Sequence, residues 1–354
     1  MALRPLAGAS VALAVLTLAA CGSSTTEDPA AGAAADDALT VVASTNVYGS
    51  IAEAVGGDGV TVESLITDPA ADPHSYESTP ADAVTVAAAD VVVLNGGGYD
   101  EFMPQLIEAS GASPVVIDVT ELSGLVPEEE AGEEHAEGEE HAEGEEHAEG
   151  EEHAHGHGEG EEAHAEGEEH AHEHGEFNEH VWYSLPTVQT LATRLAEELG
   201  GVDAANAATY TANAEAFNTE IAALTERVEG IGAAQSGARV AVTEPVPGYL
   251  IETAGLANVT PEEFSEAVEE DTDPPAAVVA ETLALFTPGD ADPVRALILN
   301  AQTQTPTTDQ VRQAAEGAGV PVVEMSETLP EGQSSYVGWM SGQVEALASA
   351  LNPV

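Results

Sequence analysis

The sequence predicts an α/β protein of two Rossmann-like lobes with parallel sheets, joined by one long α-helix. Short β-branched runs alternate with amphipathic stretches over residues 39–118, which is the pattern of a parallel sheet covered by helices. A second alternation of the same kind begins at residue 239. Between the two, residues 204–229 lack glycine and proline and place apolar side chains at helical spacing.

The first lobe, residues 39–203, is predicted to contain four buried strands. They cover residues 38–43, 60–66, 90–95 and 114–118, and each is a short apolar run of the kind found in parallel sheets. Helices are predicted at 46–55, 80–89, 102–109 and 186–199. Gly56 and Gly57 are a stop signal after the first of these helices.

The linking helix, residues 204–230, is predicted to be nearly 40 Å long at about 1.5 Å per residue. Gly230 and Gly232 are expected to end it. The second lobe, residues 231–354, has predicted strands at 239–243, 296–299 and 320–324. Its helices are predicted at 248–255, 274–286, 308–317 and 334–351.

The N-terminus has the layout of a secretory signal. Arg4 precedes an apolar run, residues 6–20, that is too short for a transmembrane helix, so residues 1–20 are predicted to be a signal peptide. Leu18-Ala19-Ala20-Cys21 resembles a lipobox, which in bacterial lipoproteins implies cleavage before Cys21 and lipid attachment to its sulfur. The alternative is an ordinary signal with a stray cysteine. Residues 21–38 are predicted to be a flexible tether.

The composition excludes several classes of site. Cys21 is the single cysteine, so an intramolecular disulfide and a thiolate zinc site are excluded. Against 65 acidic residues the chain has six arginines and no lysine. A nucleic-acid partner is therefore not expected, because phosphate binding needs a basic surface. The negative electrostatic field of so acidic a chain concentrates cations instead. The alternative explanation for the acidity outside the histidine-rich segment is a high-salt or high-GC host.

Residues 128–176 consist almost entirely of Glu, His, Gly and Ala, built around the unit EEHAEG. With so little apolar area, the segment 127–176 is expected to be a mobile loop. Its neutral imidazoles in an anionic field suit divalent transition metals; the alternative is a solvated acidic insert with incidental histidines. The ten auxiliary candidates are His135, His141, His147, His153, His155, His157, His164, His170, His172 and His174.

Four further segments each present one metal-competent side chain in a loop after a strand, where open α/β sheets bind ligands. They are DPHSYE with His74, NEHVW with His180, TEP with Glu244 and MSETL with Glu327. The two glutamates could instead stabilise helix N-termini, and Asp309 competes with Glu327. His180 could be only the last histidine of the loop. Tyr76, Trp182 and Tyr249 are expected to pack rather than to bind an ion.

Four longer motifs follow one another along the chain in an order that is typical of one protein family. They are DPHSYESTPADA, NEHVWYS, VTEPVPGYL and MSETLP…SYVGWM. This order is that of the metal-binding solute-binding lipoproteins of ABC transporters, the zinc/manganese group related to ZnuA, which the chain resembles between residues 39 and 351. The resemblance implies a metal site in the cleft between the lobes, with His74, His180, Glu244 and Glu327 as ligands. It also implies delivery to an ABC importer permease by a monomer, lipid-anchored outside the bacterial cytoplasmic membrane.

The choice of ion depends on Glu244. Zinc members of the group usually have His there, and two histidines with two carboxylates resemble the manganese branch. Carboxylates favour harder ions such as Mn²⁺, whereas imidazoles favour Zn²⁺; zinc nevertheless accepts carboxylate oxygens. Because a histidine-rich capture loop has little use for manganese, we predict Zn²⁺, with Mn²⁺ as the alternative.

A hydrolytic enzyme and an adhesin are the other functions that such a site could serve. His and Glu ligands with an open position would make a hydrolytic zinc site, but the sequence has no HExxH, nucleophile elbow or phosphate-binding glycine loop. Four protein ligands leave no vacant position, so no enzymatic activity is predicted. A metal-dependent adhesin stays open, because it would differ only in its partner. Asn178 is a candidate acceptor for the second ring N–H of a metal-bound histidine.

Overall fold

The computed structural model describes residues 38–126 and 177–352, apart from 70, 72 and 290. The predicted signal peptide, Cys21, the tether up to residue 37 and the loop 127–176 with its ten histidines lie outside the described residues. So does Asp72 of the DPHSYE motif. Among the described helices, none combines the length and the apolar character needed to cross a membrane.

The first sheet has four parallel strands in the order β2-β1-β3-β4. Alternate residues face two cores: Val41 and Val91 lie on the side of α1 and α5, while Val42 and Val92 lie on the side of α2 and α3. Such burial on both faces explains the continuous apolar runs of the sequence. The elements are β1 (Leu39–Thr45), α1 (Asn46–Gly56), β2 (Val60–Ile66), α2 (Pro80–Ala87), β3 (Val91–Leu94), α3 (Phe102–Ser110), β4 (Val115–Asp118), α4 (Val119–Ser123) and α5 (Leu185–Val202).

The second sheet repeats this topology in the order β6-β5-β7-β8, again all parallel. In both sheets the first strand of the lobe lies inside and the second lies at an edge. The predicted class, two α/β lobes with parallel sheets, is confirmed. The elements are β5 (Arg239–Val242), α7 (Gly248–Thr253), β6 (Ala257–Asn258), α8 (Glu262–Glu269), α9 (Ala276–Ala284), β7 (Ala296–Asn300), α10 (Pro306–Ala318), β8 (Val322–Met325) and α11 (Tyr336–Leu351).

The helix between the sheets, α6 (Ala207–Gln235), is 29 residues long. The prediction that it ends at Gly230 is wrong, because the helix continues through both glycines. Ile231 is buried in the core, and a Cβ at Gly232 would lie 2.5 Å from the carbonyl oxygen of Ala254. Gly232 therefore permits close packing of α6 against the end of α7 and does not stop the helix.

Two elements of the second lobe were missed by the sequence prediction, which assigned nothing between residues 256 and 273. Strand β6 has two residues, too few for a periodic pattern. Helix α8 buries one short stripe, chiefly Phe264 and Val268, and is otherwise rich in glutamate. Such a segment shows no clear apolar period, so only packing against the second sheet reveals it as a helix.

The lobes also touch beside α6. The Tyr336 hydroxyl donates to the carbonyl oxygen of Trp182 at 2.7 Å, and the Tyr183 hydroxyl donates to that of Ser326 at 2.7 Å. These bonds join α11 and the loop after β8 to the segment before α5. The candidate ligand loops of the two lobes are thereby held against each other.

Candidate metal centre

The four predicted ligands all lie in loops at the site where the two lobes meet. His74 is in the loop between β2 and α2, and His180 directly precedes the turn Val181–Tyr183 before α5. Glu244 follows β5, and Glu327 follows β8. His180, Glu244 and Glu327 are 0–2% exposed, whereas the His74 side chain is 21% exposed. Of these four, His74 is therefore the residue that solvent reaches.

The structure brings the two imidazoles together, with ring centroids 6.0 Å apart. His180 Nδ1 lies 2.8 Å from Asn178 Oδ1. The Asn178 amide nitrogen donates to the carbonyl oxygen of Pro245 at 3.0 Å, so its oxygen is the acceptor for His180. His180 therefore carries its proton on Nδ1 and has a lone pair on Nε2, as expected for a metal-binding histidine. The predicted pairing of Asn178 with a candidate ligand is confirmed.

The two predicted carboxylates share one side-chain amide. Asn300, at the end of β7, places Nδ2 2.6 Å from Glu244 Oε2 and 2.8 Å from Glu327 Oε1. The Thr303 hydroxyl also donates to Glu244, and the Tyr99 hydroxyl donates to Glu327 Oε2 at 3.0 Å. Burial raises the pKa of Glu244 to about 7, although the bonds from Thr303 and Asn300 lower it. The two carboxylates are thus buried and oriented by hydrogen-bond donors. The donors named here are all uncharged, so none of them neutralises the carboxylates.

A third carboxylate, Glu269, was missed by the sequence prediction. It ends α8, and its Oε1 lies 3.5 Å from His180 Nε2. Candidate ligand atoms of His74, His180 and Glu269 all lie within 4.8 Å of one another. Burial, followed by the charge of Glu179, raises the pKa of Glu269 well above its usual range. The sequence carried no signal for this residue, because α8 presents several glutamates in similar local contexts.

Glu179, inside the NEHVW motif, was also overlooked. Its Oε1 lies 3.2 Å from His74 Nε2, and its backbone oxygen accepts a 2.9 Å hydrogen bond from Asn95. Burial alone would raise the pKa of Glu179, but the hydrogen bond to His74 and the electrostatic influence of the nearby imidazoles outweigh burial and lower it. Glu179 therefore orients the more exposed imidazole of the site.

The alternative residues lie elsewhere or pack as expected. Asp309 is on α10, where it pairs with Arg312 at 2.5 Å. Trp182 is buried, with its ring centroid 5.0 Å from that of His180. The Tyr249 hydroxyl donates to the carbonyl oxygen of Asn178 at 2.6 Å. The imidazoles and carboxylates of this region, which are ligand types that divalent transition metals accept, therefore lie next to the aromatic rings of Tyr99 and Trp182.

Comparison with protein families gives one model that matches most of the chain. This model is described as "Zinc-uptake complex component A periplasmic", and it matches residues 41–350. The matched range contains all four predicted ligands and every strand of both sheets except the first two residues of β1.

Curated relatives match over shorter stretches. The chain is 32% identical over 122 residues to the manganese-binding lipoprotein MntA of Bacillus subtilis (strain 168), covering 34% of this chain and 38% of that protein. It is 34% identical over 84 residues to the iron ABC transporter substrate-binding lipoprotein MtsA of Streptococcus pyogenes serotype M1, covering 24% and 25%. The matches thus span well under half the length of these relatives.

Solved structures show the same fold over nearly the whole chain. A crystal structure of ZnuA has a TM-score of 0.63 at 19% identity and covers 89% of this chain and 100% of that one. The periplasmic zinc-binding protein TroA of Treponema pallidum has a TM-score of 0.63 at 16% identity, covering 89% and 99%. At these identities the likeness shows the two-lobe fold.

Proposed function

Because the chain belongs to the family of zinc-uptake complex component A, we propose that it captures a divalent transition metal outside the cytoplasm for an ABC importer. Zn²⁺ is the proposed ion, and Mn²⁺ is the alternative. The proposal is carried by one observation: the ring of Tyr99 packs against His74 and His180, and its hydroxyl donates to the buried Glu327 of the other lobe. His74, His180, Glu244 and Glu327 are the proposed ligands of a single tight site.

Capture suits this donor set better than catalysis does. Zinc in proteins is usually four-coordinate, and a catalytic zinc keeps one position open for water or substrate. Two imidazoles and two carboxylates would fill a tetrahedral site and leave no such position. The ion would then be held by the protein until the lobes release it to a membrane permease. The relatives named above are described as lipoproteins, which supports a lipid anchor at Cys21.

The preference for zinc rests on the family and on the histidine-rich segment. The matching family model is described as a zinc-uptake component, and ten histidines lie between His74 and His180 in sequence. Imidazole is a softer donor than carboxylate and favours Zn²⁺. The names of MntA and MtsA, manganese-binding and iron-transporting, support the alternative. The most direct measurement is the metal content of the protein purified from its native host.

The ligand assignment is tested by calorimetry with Zn²⁺ and Mn²⁺ in competition with a chelator. His74→Ala and His180→Ala should each weaken the tight site by at least about 100-fold, since removal of a ligand costs more than loss of a residue that only orients one. His164→Ala, the same chemical change in the histidine-rich segment, is the control and should leave the tight site unchanged. A double variant of His74 and His180 that binds as tightly as the wild type would disprove the assignment.

A further inference from the structure

Glu269 lies beside the proposed site but belongs to none of the four sequence motifs that supply the predicted ligands. It is the last residue of α8. Its side chain is 15% exposed, and its Oε1 lies 3.5 Å from His180 Nε2. It belongs to the second lobe, whereas both histidines belong to the first. The contact therefore crosses between the lobes at the place where the imidazoles meet.

The two atoms that face each other are both acceptors. His180 Nδ1 donates to Asn178, so Nε2 presents its lone pair toward Glu269. A carboxylate oxygen is also an acceptor. Two buried acceptors 3.5 Å apart need a proton or a cation between them, and the candidate ligand atoms of His74, His180 and Glu269 lie within 4.8 Å of one another, close enough to share one ion. A divalent cation bound to both atoms meets this requirement.

The backbone holds Glu269 in place at the end of α8. The Asp271 N–H donates to the carbonyl oxygen of Val268 at 3.3 Å, and that of Thr272 donates to Ala267 at 2.8 Å. Asp271 has a positive φ of 53°. This is the hydrogen-bond pattern of a Schellman motif, with Asp271 in the left-handed position that usually takes glycine. The Glu269 side chain thus starts from a fixed backbone.

The charge of Glu269 conflicts with its position in the helix. The C-terminus of a helix is its negative end, so a carboxylate in the last turn is unfavourable. Glu270 and Asp271 follow directly and add to the negative charge. A bound cation offsets both the helix end and the carboxylates. Violations of a local rule of this kind are expected at functional or strained sites.

We propose that Glu269 is itself a ligand of the transported ion, so that α8 supplies a carboxylate from the second lobe to the two imidazoles of the first. This inference rests on the proposed function. With Glu269, three carboxylates lie beside two histidines, so the ion is either five-coordinate or bound by Glu269 in place of Glu244 or Glu327 in the four-ligand set proposed above. The bound ion is then a divalent metal that accepts oxygen-rich coordination, and it links the lobes through His180 and Glu269.

The test is Glu269→Gln, titrated by calorimetry with Zn²⁺ and Mn²⁺, each added alone. The variant should bind the tight ion at least about 10-fold more weakly, which is about 1.4 kcal/mol. Glutamine has the same shape, and its amide N–H can donate to His180 Nε2. The metal-free variant should therefore unfold at a temperature no lower than the wild type, while the metal-induced rise in Tm becomes smaller. Glu270→Gln is the matched control, because it removes the same charge from the adjacent, exposed residue.

The outcomes separate this inference from the proposed function. Wild-type affinity in Glu269→Gln, together with a large loss in His74→Ala, would overturn the role of Glu269 and leave metal capture standing. An equal loss in Glu269→Gln and Glu270→Gln would show a general charge effect and would also overturn it. If the wild type binds neither ion, or if His74→Ala has no effect, the proposed function itself fails. A changed Co²⁺ absorption spectrum in Glu269→Gln, with an unchanged one in Glu270→Gln, would support direct ligation.

Discussion

At the scale of single residues, Asn300 links two buried carboxylates through one side-chain amide. The two hydrogens of its amide nitrogen reach two different carboxylates, those of Glu244 and Glu327. Its Oδ1 accepts from the backbone N–H of Gln302 at 3.1 Å. Each bond to a charged group contributes about 1.5–3 kcal/mol to stability. Asn300 therefore reduces the repulsion between two buried acids and fixes their direction.

Asn300→Asp should destabilise the metal-free protein by about 3 kcal/mol, since it replaces the shared donor by a third acceptor. The aspartate keeps the shape and the oxygen that Gln302 needs. Saturating Zn²⁺ should restore part of the loss, because the ion supplies the missing positive charge. Urea unfolding with and without Zn²⁺ measures both effects.

Asn258→Asp is the control for that substitution, because Asn258 is exposed and uses only its oxygen, as acceptor for the backbone N–H of Thr260. It should change the free energy of unfolding by less than about 0.5 kcal/mol. Equal destabilisation by the two aspartates would mean that Asn300 has no special role at the carboxylates.

At the scale of elements, the junction of β4 and α4 contains a carboxyl group that opposes stability at neutral pH. Asp118 caps α4 by accepting from the Glu121 N–H at 2.9 Å. Burial, helped by the charges of Glu121 and Asp100 and opposed by the capping bonds, raises the pKa of Asp118 to about 6. Gly96, with φ 74°, lies against the same carboxyl group and has no room there for a Cβ.

Asp118→Asn should raise the stability at pH 7 and leave it nearly unchanged at pH 4. The folded pKa of about 6 exceeds the unfolded value near 3.9. The stability that protonated Asp118 provides is thus complete below pH ~4 and is lost as pH rises through about 6. Asparagine keeps an oxygen for the cap but has no charge to bury.

The measurement is urea unfolding of both proteins at several pH values between 4 and 7. The variant should gain on the wild type progressively over this range and then hold a constant advantage. An advantage that is the same at pH 4 and pH 7, or a variant less stable at every pH, would contradict the role assigned to Asp118.

At the scale of the whole molecule, charge is the dominant property, with a formal net charge of −59 at pH 7. About a third of the 65 acidic residues fall between residues 128 and 176, together with ten of the twelve histidines. A field of this sign raises the local concentration of cations. The sequence therefore predicts that this segment enriches metal ions near the lobes, at lower affinity than a preorganised site.

Deletion of residues 127–176 should remove weak binding of several ions and leave the single tight site intact. The weak phase should also fade below about pH 6, because protons compete with metal for imidazole nitrogen. Calorimetry at pH 7.5 and pH 5.5 measures both effects.

A second variant separates imidazole from charge, with all ten histidines of the segment replaced by glutamine. It keeps the length and the glutamates of the wild type, yet it should lose the weak phase as completely as the deletion does. If weak binding persists in this variant, the glutamates hold the ions. If it persists in the deletion as well, the segment is only a spacer.

The sequence by itself was enough to predict the fold class, most strands and helices, and the two histidines that lie close together in the structure. Buried parallel strands need continuous apolar runs, and His74 and His180 are the only histidines outside the repetitive segment. Their loops follow the strands and the repetitive segment in an order typical of the family. Local patterns of this kind are readable because each depends on near neighbours in the chain.

Tertiary structure alone decided which acids lie close to the two histidines and where α6 ends. Glu269 and its neighbour Glu270 are indistinguishable in sequence, and only the packing of Phe264 and Val268 turns the former toward His180. Gly232 lies inside α6, and it is a glycine there because the backbone of Ala254 leaves no room for a Cβ. The physical reason is the same in both cases. Segments that are distant in sequence set the environment of the residue, whereas local propensity depends only on near neighbours in the chain.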